Sequence, residues 1–235
     1  MRLAADPAVV TLDGVHCVKH AVRFGAAVEL LVTPDRDAAL RLAGALAPDV
    51  VDRIAAAVPV DPGLPARLPG VRPGSELVGF ARRPAAASPT GPTVLLDNPR
   101  NPGNVGAVVR VAAGFGAAVR STGSIDPWHP AVVRAAAGLH FATSVERGAE
   151  LAGPLIAFDP AGEDLRGVVL PERAVLAFGA ERHGLSAAVR DRADGLVAIP
   201  MRERVSSYNL ATSVAVGLYH WSLHGTSREP AANSR

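Results

Sequence analysis

Three short stretches carry the polar residues best suited to chemistry, each set among glycines or prolines. The first, Asn98 to Arg110, reads NPRNPGNVGAVVR and follows an apolar run, Thr93 to Leu96. That placement invites a phosphate-binding loop. Its glycines, however, fit neither G-x-G-x-x-G nor G-x-x-x-x-G-K-[ST], and it offers no lysine for a terminal phosphate. What remains is Asn104, expected to cap a helix starting near Val105, and Arg110, which shares a helix side with Gly106 and Gly114. A long cation between two glycines can lie in close backbone contact, although a surface arginine is the simpler reading of this stretch alone. The second stretch, Phe178 to Ser186 (FGAERHGLS), sets Glu181 between Gly179 and Gly184, so backbone can approach a ligand while a carboxylate faces the same turn. The third runs from Ile199 to Trp221. A strand ends at a proline, a loop carries Ser206, Ser207 and Asn209, and a helix follows with Leu210, Val214 and Leu218 on one face. Unpaired amides at that helix start could take polar groups of a ligand.

The elements that must position these loops fall on two sides of RRPAAASPTGP, Arg82 to Pro92, whose Pro, Ala and Ser content resists helix and strand alike. We expect a small α/β unit over residues 1–83, a linker over 84–92, a second unit over 93–226 and a loose polar tail over 227–235. In the first unit AVVTLDG, VELLVTP and LVGFARR read as strands, with helical patterning over Val15 to Arg23 and Asp37 to Ala47. In the second, strand-length runs at Thr93 to Leu96, Ala118 to Arg120, Leu155 to Phe158, Ala174 to Phe178 and Leu196 to Ile199 alternate with helices. Such alternation predicts a mainly parallel sheet covered by helices.

Composition narrows the classes. With 235 residues, 49% of them hydrophobic, the chain can bury a core without staples, and its single cysteine, Cys17, excludes an intramolecular disulfide. Neither a secretory signal nor a long uncharged apolar run is seen, so a soluble cytoplasmic protein with no membrane partner is expected. The formal charge is +2, and Lys19 is the only lysine among the 24 basic residues. Arginine suits phosphates and bases through planar, bidentate contacts, but an alanine-rich, lysine-poor chain also reflects codon bias.

In order and spacing, the three stretches resemble the signature of the SpoU/TrmH-type methyltransferases of the SPOUT superfamily: N-x-G-a-x-x-R-x-A-x-x-F-G, G-x-E-x-x-G-l and I-P-M-x-G-x-x-x-S-L-N. Here they read NVGAVVRVAAGFG, GAERHGL and IPMRERVSSYN, and the likeness covers residues 93–223. The segment LDGVHCVKHAVRFGAAVELLVTP more loosely resembles a ribosomal-protein-like RNA-binding domain that precedes the catalytic domain in several members.

The resemblance implies an α/β fold whose C-terminal SPOUT domain, built on a mainly parallel sheet, is tied in a trefoil knot, an exception to unthreaded connections. It implies S-adenosyl-L-methionine as cofactor, with backbone contacts from Gly179, Ile199 and Tyr208 and an apolar wall from Met201 and Leu210. Asn104, Arg110, Glu181, Ser207 and Asn209 fall on the family's polar active-site positions. The implied reaction is methyl transfer to a ribose 2′-hydroxyl of RNA, with ribosomal RNA favoured over transfer RNA and no metal required. Arg110 would favour the alkoxide electrostatically, because guanidinium holds its proton too tightly to act as a base. Ser207 and Asn209 would orient the ribose or shape the loop, and Glu181 would fix loop amides or an active-site arginine. A homodimer is implied as well, and small residues Gly106, Ala113, Gly114 and Ala117 would permit close packing of the Arg110 helix.

Two positions depart from the pattern: Glu203 replaces a glycine and Tyr208 a leucine. They motivate an alternative, a catalytically silent RNA-binding or ribosome-assembly factor that keeps the fold. A small-molecule methyltransferase is more remote, since it would leave the N-terminal unit without a purpose. Elsewhere, His16, Cys17 and His20 suggest a metal, but no Cys/His pair completes four ligands, and packing is the preferred reading. His183, inside the second stretch, could contact RNA, but an exposed loop residue is the preferred reading. Trp128 and His129 could stack on a base or simply form a turn, and Arg23, Arg82 and Arg83 could neutralise RNA phosphates or remain solvated.

Overall fold

A computed structural model describes residues 3–85, 87–148 and 150–224, the side chain of the last excepted, so the expected tail at 227–235 lies outside the described residues. The chain runs β1 (Val9–Asp13), α1 (Val15–Arg23), β2 (Val28–Thr33), α2 (Arg36–Leu46), α3 (Val51–Ala55), β3 (Val58–Pro59) and β4 (Val78–Arg82). It continues through β5 (Thr93–Asp97), α4 (Pro102–Phe115), β6 (Ala118–Ser121), α5 (Pro130–Ala135), β7 (Val145–Arg147), β8 (Leu155–Asp164), β9 (Val175–Gly179), α6 (Ala187–Arg192), β10 (Gly195–Ala198) and α7 (Leu210–His224). The first four strands form a mixed sheet in the order β1-β4-β2-β3, and the other six form a second sheet in the order β10-β8-β9-β5-β6-β7. Every pairing in the second sheet is parallel.

The six-stranded sheet follows from its apolar runs. All five residues of β5 are buried, as a strand covered by helices on both faces requires. Its neighbour β9 is paired in register from Thr93↔Val175 to Asp97↔Gly179. The chain leaves β5 outward through β6 and β7, crosses to β8, and only then fills the gap with β9. The order therefore reverses beside β5, and ligands of open parallel sheets bind at such a reversal, beyond the carboxyl ends of the strands.

Helix α4 corrects the expected cap. Asn101, not Asn104, is the N-cap: its side chain accepts from the backbone N–H groups of Gly103 and Asn104, and Pro102 occupies the first turn, where its fixed φ and missing N–H suit a helix start. Asn104 is thereby released inside the first turn with its amide free for other work. A second correction concerns the small residues. A Cβ on Gly106 would lie 2.4 Å from the Ala135 Cβ, so this glycine admits α5 of the same chain, and Ala117 is fully buried; neither is available to a partner.

The two sheets meet at a built junction. Asp13 at the end of β1, its side chain fully buried, accepts through Oδ2 from the Arg72 backbone N–H and Nε, both at 3.2 Å, and from Arg134 Nη1 of α5 at 3.1 Å. Burial opposes ionisation of Asp13, but the Ser75 hydroxyl and the Arg72 amide and guanidinium outweigh it and hold the carboxyl below the ordinary aspartate range. Gly138, at φ 76°, lets a turn pass so close to Cys17 that a Cβ would sit 2.6 Å from the Cys17 carbonyl oxygen. His20 Nδ1 lies 2.7 Å from the Ala137 carbonyl oxygen, and Cys17 is buried with its thiol pushed up to about 12 by burial first. Both residues are thus packed into the junction, and among the described residues no cluster of three or more His, Cys, Asp and Glu could hold a metal. Trp128 is 7% exposed, donates to the Val145 carbonyl and lies under Arg83, so it is a core residue and not a base platform. Arg23 pairs with Asp49, and Arg82 with Glu29 and Asp6.

Candidate active site

The loops after β5, β9 and β10 all emerge from the same end of the parallel sheet, which brings the three polar stretches together. A chain of side-chain hydrogen bonds joins them. Asn104 Nδ2 donates to Glu181 Oε1 at 2.7 Å, and Asn209 Nδ2 donates to Asn104 Oδ1 at 3.1 Å. Asn209 Oδ1 in turn accepts from the Ala211 backbone N–H at 2.9 Å, tying the network to the first turn of α7. Partial burial works against the Glu181 carboxylate, yet the Asn104 amide and the backbone N–H groups of Glu181 and Arg100 prevail and hold its pKa below the ordinary value. A carboxylate held in that way is a weak proton acceptor and a strong anchor for the loops it touches.

Beside this chain opens a cavity of about 390 Å³, within the range typical of small-molecule sites. Ile199, Met201 and Leu210 form an apolar part of its lining, together with Phe158 and Phe178, whose rings stack at 4.3 Å between centroids. Gly179, Glu181, Ser207 and Tyr208 line it as well, so seven of the ten residues singled out in the sequence face one space. Gly179 is a glycine for a packing reason. A Cβ there would lie 2.0 Å from the carbonyl carbon of Gly184, because the loop folds back through a bridge between Ala180 and Gly184.

Asn104 and Asn209 stand next to the cavity through their bonds to Glu181 and to each other, while Arg110 is not part of it. Arg110 is exposed on α4, and its charge is felt by His16, Lys19 and His20 of the α1 side. His183 is exposed in the β9 loop. Glu203 is not among the residues with positive φ; the left-handed position of that turn falls on Arg204, at φ 68°. Sequence reasoning missed Asp97. This carboxylate, 6% exposed, accepts from the Ser186 N–H at 2.6 Å and the Thr122 hydroxyl at 3.3 Å, and so fastens the end of β5 to the β9 loop. An acidic residue closing the apolar run TVLLD was the available signal. Phe158 and the neighbouring Asp159 and Pro160 on β8 were also missed as lining residues.

Among the described residues no helix is long and apolar enough to cross a membrane. The chain is 34% identical over 157 residues to ribosomal RNA small subunit methyltransferase G 2 of Syntrophobacter fumaroxidans, covering 63% of this chain and 31% of that protein. It is 28% identical over 142 residues to the 23S rRNA (guanosine(2553)-2′-O)-methyltransferase RlmP of Bacillus subtilis, covering 54% of this chain and 56% of the relative. It thus spans only 31% and 56% of these relatives' lengths. Among solved structures it is similar to the SpoU methyltransferase AviRb from Streptomyces viridochromogenes in complex with AdoMet, with a TM-score of 0.74, 25% identity and coverage of 91% of this chain and 89% of that one. The SpoU rRNA Methylase family model matches residues 91–219, which is more than half of the sequence and contains all three loops of the cavity, and the chain therefore belongs to that family.

Proposed function

We propose that this protein methylates a ribose 2′-hydroxyl of structured RNA using S-adenosyl-L-methionine, with ribosomal RNA favoured over transfer RNA. The observation that carries this reading is the bond chain Glu181–Asn104–Asn209, which fastens three separate loops around one cavity. The residues present suit the cofactor: Phe178, Met201 and Leu210 offer an apolar wall, and the close-folded backbone at Gly179, with that of Ile199 and Tyr208, offers peptide groups to its polar parts. When bound, S-adenosylmethionine supplies an electrophilic methyl group already activated by the sulfonium charge. The protein's work is then mainly positioning and charge placement. Ser207 and Asn209 orient the ribose, and Glu181 stays ionised and holds the loops.

Arg110 favours the developing alkoxide, and because it lies outside the cavity of its own chain, the reading includes a homodimer in which each chain's Arg110 serves its partner. Val216, Tyr219 and Leu223 are exposed at helical spacing on α7 and form an apolar strip suited to a second copy of this chain. The reading further includes a trefoil knot formed as the chain passes from β10 into α7, an RNA-binding role for residues 1–83, a connecting segment at 84–92, a methyltransferase unit at 93–226, and a cytoplasmic location. The AdoMet complex of AviRb and the 2′-O activity named for RlmP support it. We favour it over the catalytically silent alternative because Glu203 is not among the residues with positive φ and the cavity stays open beside Tyr208. Incubation with methyl-labelled cofactor and separated ribosomal and transfer RNAs, followed by mapping of the labelled nucleotide, tests the proposal. Label on a ribose is expected, and label on a base, or none, contradicts it.

A further inference from the structure

The rim of the cavity differs in character from its wall. Phe178 and Leu210 of the wall are almost fully buried, whereas Tyr208 is 43% exposed and Val205, on the turn that leads to it, is 46% exposed. Tyr208 is one of only two tyrosines in a chain that is 4% aromatic. Its backbone is held, because Asn209, the next residue, is fixed by bonds to Asn104 and Ala211. The ring is therefore presented to solvent from a tethered base.

The segment leading into it is a tight turn, closed by the Val205 N–H donating to the Arg202 carbonyl at 3.1 Å. Within it Arg204 adopts a φ of 68°, a conformation that costs a non-glycine residue about 1–2 kcal/mol. Strain of this kind gathers at ligand clamps when the surroundings enforce it. Arg182 lines the cavity from the β9 loop, and Arg182, Arg202 and Arg204 are all exposed with no ion pair among the described residues. Glu203 is the single carboxylate on the turn. An exposed ring flanked by unpaired arginines is the combination that holds single-stranded nucleic acid, where aromatic faces take bases and cations follow the backbone.

We propose that this rim is a nucleotide clamp: the Tyr208 ring stacks on the base of the nucleotide presented to the cavity, and Arg182, Arg202 and Arg204 neutralise the flanking phosphates. The inference rests on the RNA methyltransferase reading and names the residues that hold the nucleotide at that same site. A ribose inside a folded RNA reaches the cavity only when its nucleotide leaves the stack, and stacking on an aromatic side chain offsets that cost by about 1–3 kcal/mol. The leucine of the family pattern offers no π-face. Because every base has one, Tyr208 contributes affinity and orientation without selecting the base.

The full chain can be titrated with a heptauridylate carrying one central 2-aminopurine, whose fluorescence falls on stacking, and separately with S-adenosylhomocysteine by calorimetry. Wild type and Tyr208→Phe are expected to quench the probe alike, whereas Tyr208→Leu should bind it at least about fivefold more weakly, the lower bound of a stacked base. Affinity for S-adenosylhomocysteine should be the same in wild type and in Arg202→Gln/Arg204→Gln, because neither arginine lines the cavity. The double variant Arg202→Gln/Arg204→Gln should reduce the slope of log affinity against log salt by about 1.4, or about 0.7 per lost phosphate contact. Equal quenching by Tyr208→Leu, or a loss confined to S-adenosylhomocysteine, overturns the clamp. A wild-type chain that binds S-adenosylhomocysteine but not the oligonucleotide also overturns it while leaving the cofactor site intact. Failure of wild type to bind S-adenosylhomocysteine sinks the methyltransferase reading itself.

Discussion

Two polar networks organise this molecule, and they differ in where they sit. At the junction between the sheets, Asp13 is fully buried and shared by Arg72 and Arg134. At the cavity, Glu181 and Asn209 are exposed, and Asn104 between them is half-buried. A charge taken out of water must be satisfied or it unfolds its surroundings. Groups left at the surface cost little to disturb but still decide how loops line up. The junction network should therefore govern stability and the cavity network activity.

The largest expected effect is on the junction. Asp13→Ala removes the shared acceptor of two partly exposed guanidinium groups and should lower unfolding free energy by about 2–3 kcal/mol in denaturant titrations; a loss below about 1 kcal/mol would erase the contrast. The same region should respond to acid. His140 is fully buried, its Nε2 hydrogen donated to the Pro127 carbonyl at 2.8 Å, and burial first of all pushes its pKa down to about 4. With the folded value below the unfolded one, the unfolded chain takes up the proton first, so this contribution is intact above about pH 6.5 and is lost as pH falls towards 4. The decline should approach about 3 kcal/mol across that window and be much shallower in His140→Gln, as urea midpoints at several pH values would show. An unchanged slope in the variant would place the acid sensitivity elsewhere.

At the cavity the pattern should reverse. Asn104→Ala cuts the bond chain at its middle, and methyl transfer should fall by about 100-fold while unfolding free energy moves by less than about 0.5 kcal/mol. Equal loss of both would mean that the network holds the fold and not the site. The smallest effect is a gain: Arg204→Gly relieves the left-handed turn and should raise stability by about 1 kcal/mol in thermal unfolding, a shift absent in Arg202→Gly.

The junction and the cavity were unequally legible in the sequence. The strands β5 and β9 announce themselves through dense apolar runs, and Val15 to Arg23 is helical as the pattern predicts. Strand β7 has three residues at a sheet edge, and the second half of β8 is polar with Pro160 and Gly162, so neither carries a hydrophobic period. The motif spacing located the cavity residues, because resemblance preserves order along the chain. The bonds between them could not be read, since Asn104 meets partners 77 and 105 residues away, and no local period encodes such distances. Arg110 shows the same limit in reverse: its motif position is plain, but only coordinates reveal that its charge is felt on α1 and that it does not line the cavity. The junction partners Asp13 and Arg134, 121 residues apart, gave no signal at all.

Whether three loops close around one cofactor cavity is tested most directly by calorimetric titration of S-adenosylmethionine into wild type and Gly179→Ala. A Cβ at Gly179 would strike the backbone of Gly184 and Leu185 and force the β9 loop away from the wall. One binding event per chain is expected in wild type, and a loss of at least about tenfold, or about 1.4 kcal/mol, in the variant while its far-UV circular dichroism persists. No binding by wild type, or equal affinity in a folded Gly179→Ala, would contradict such a closure.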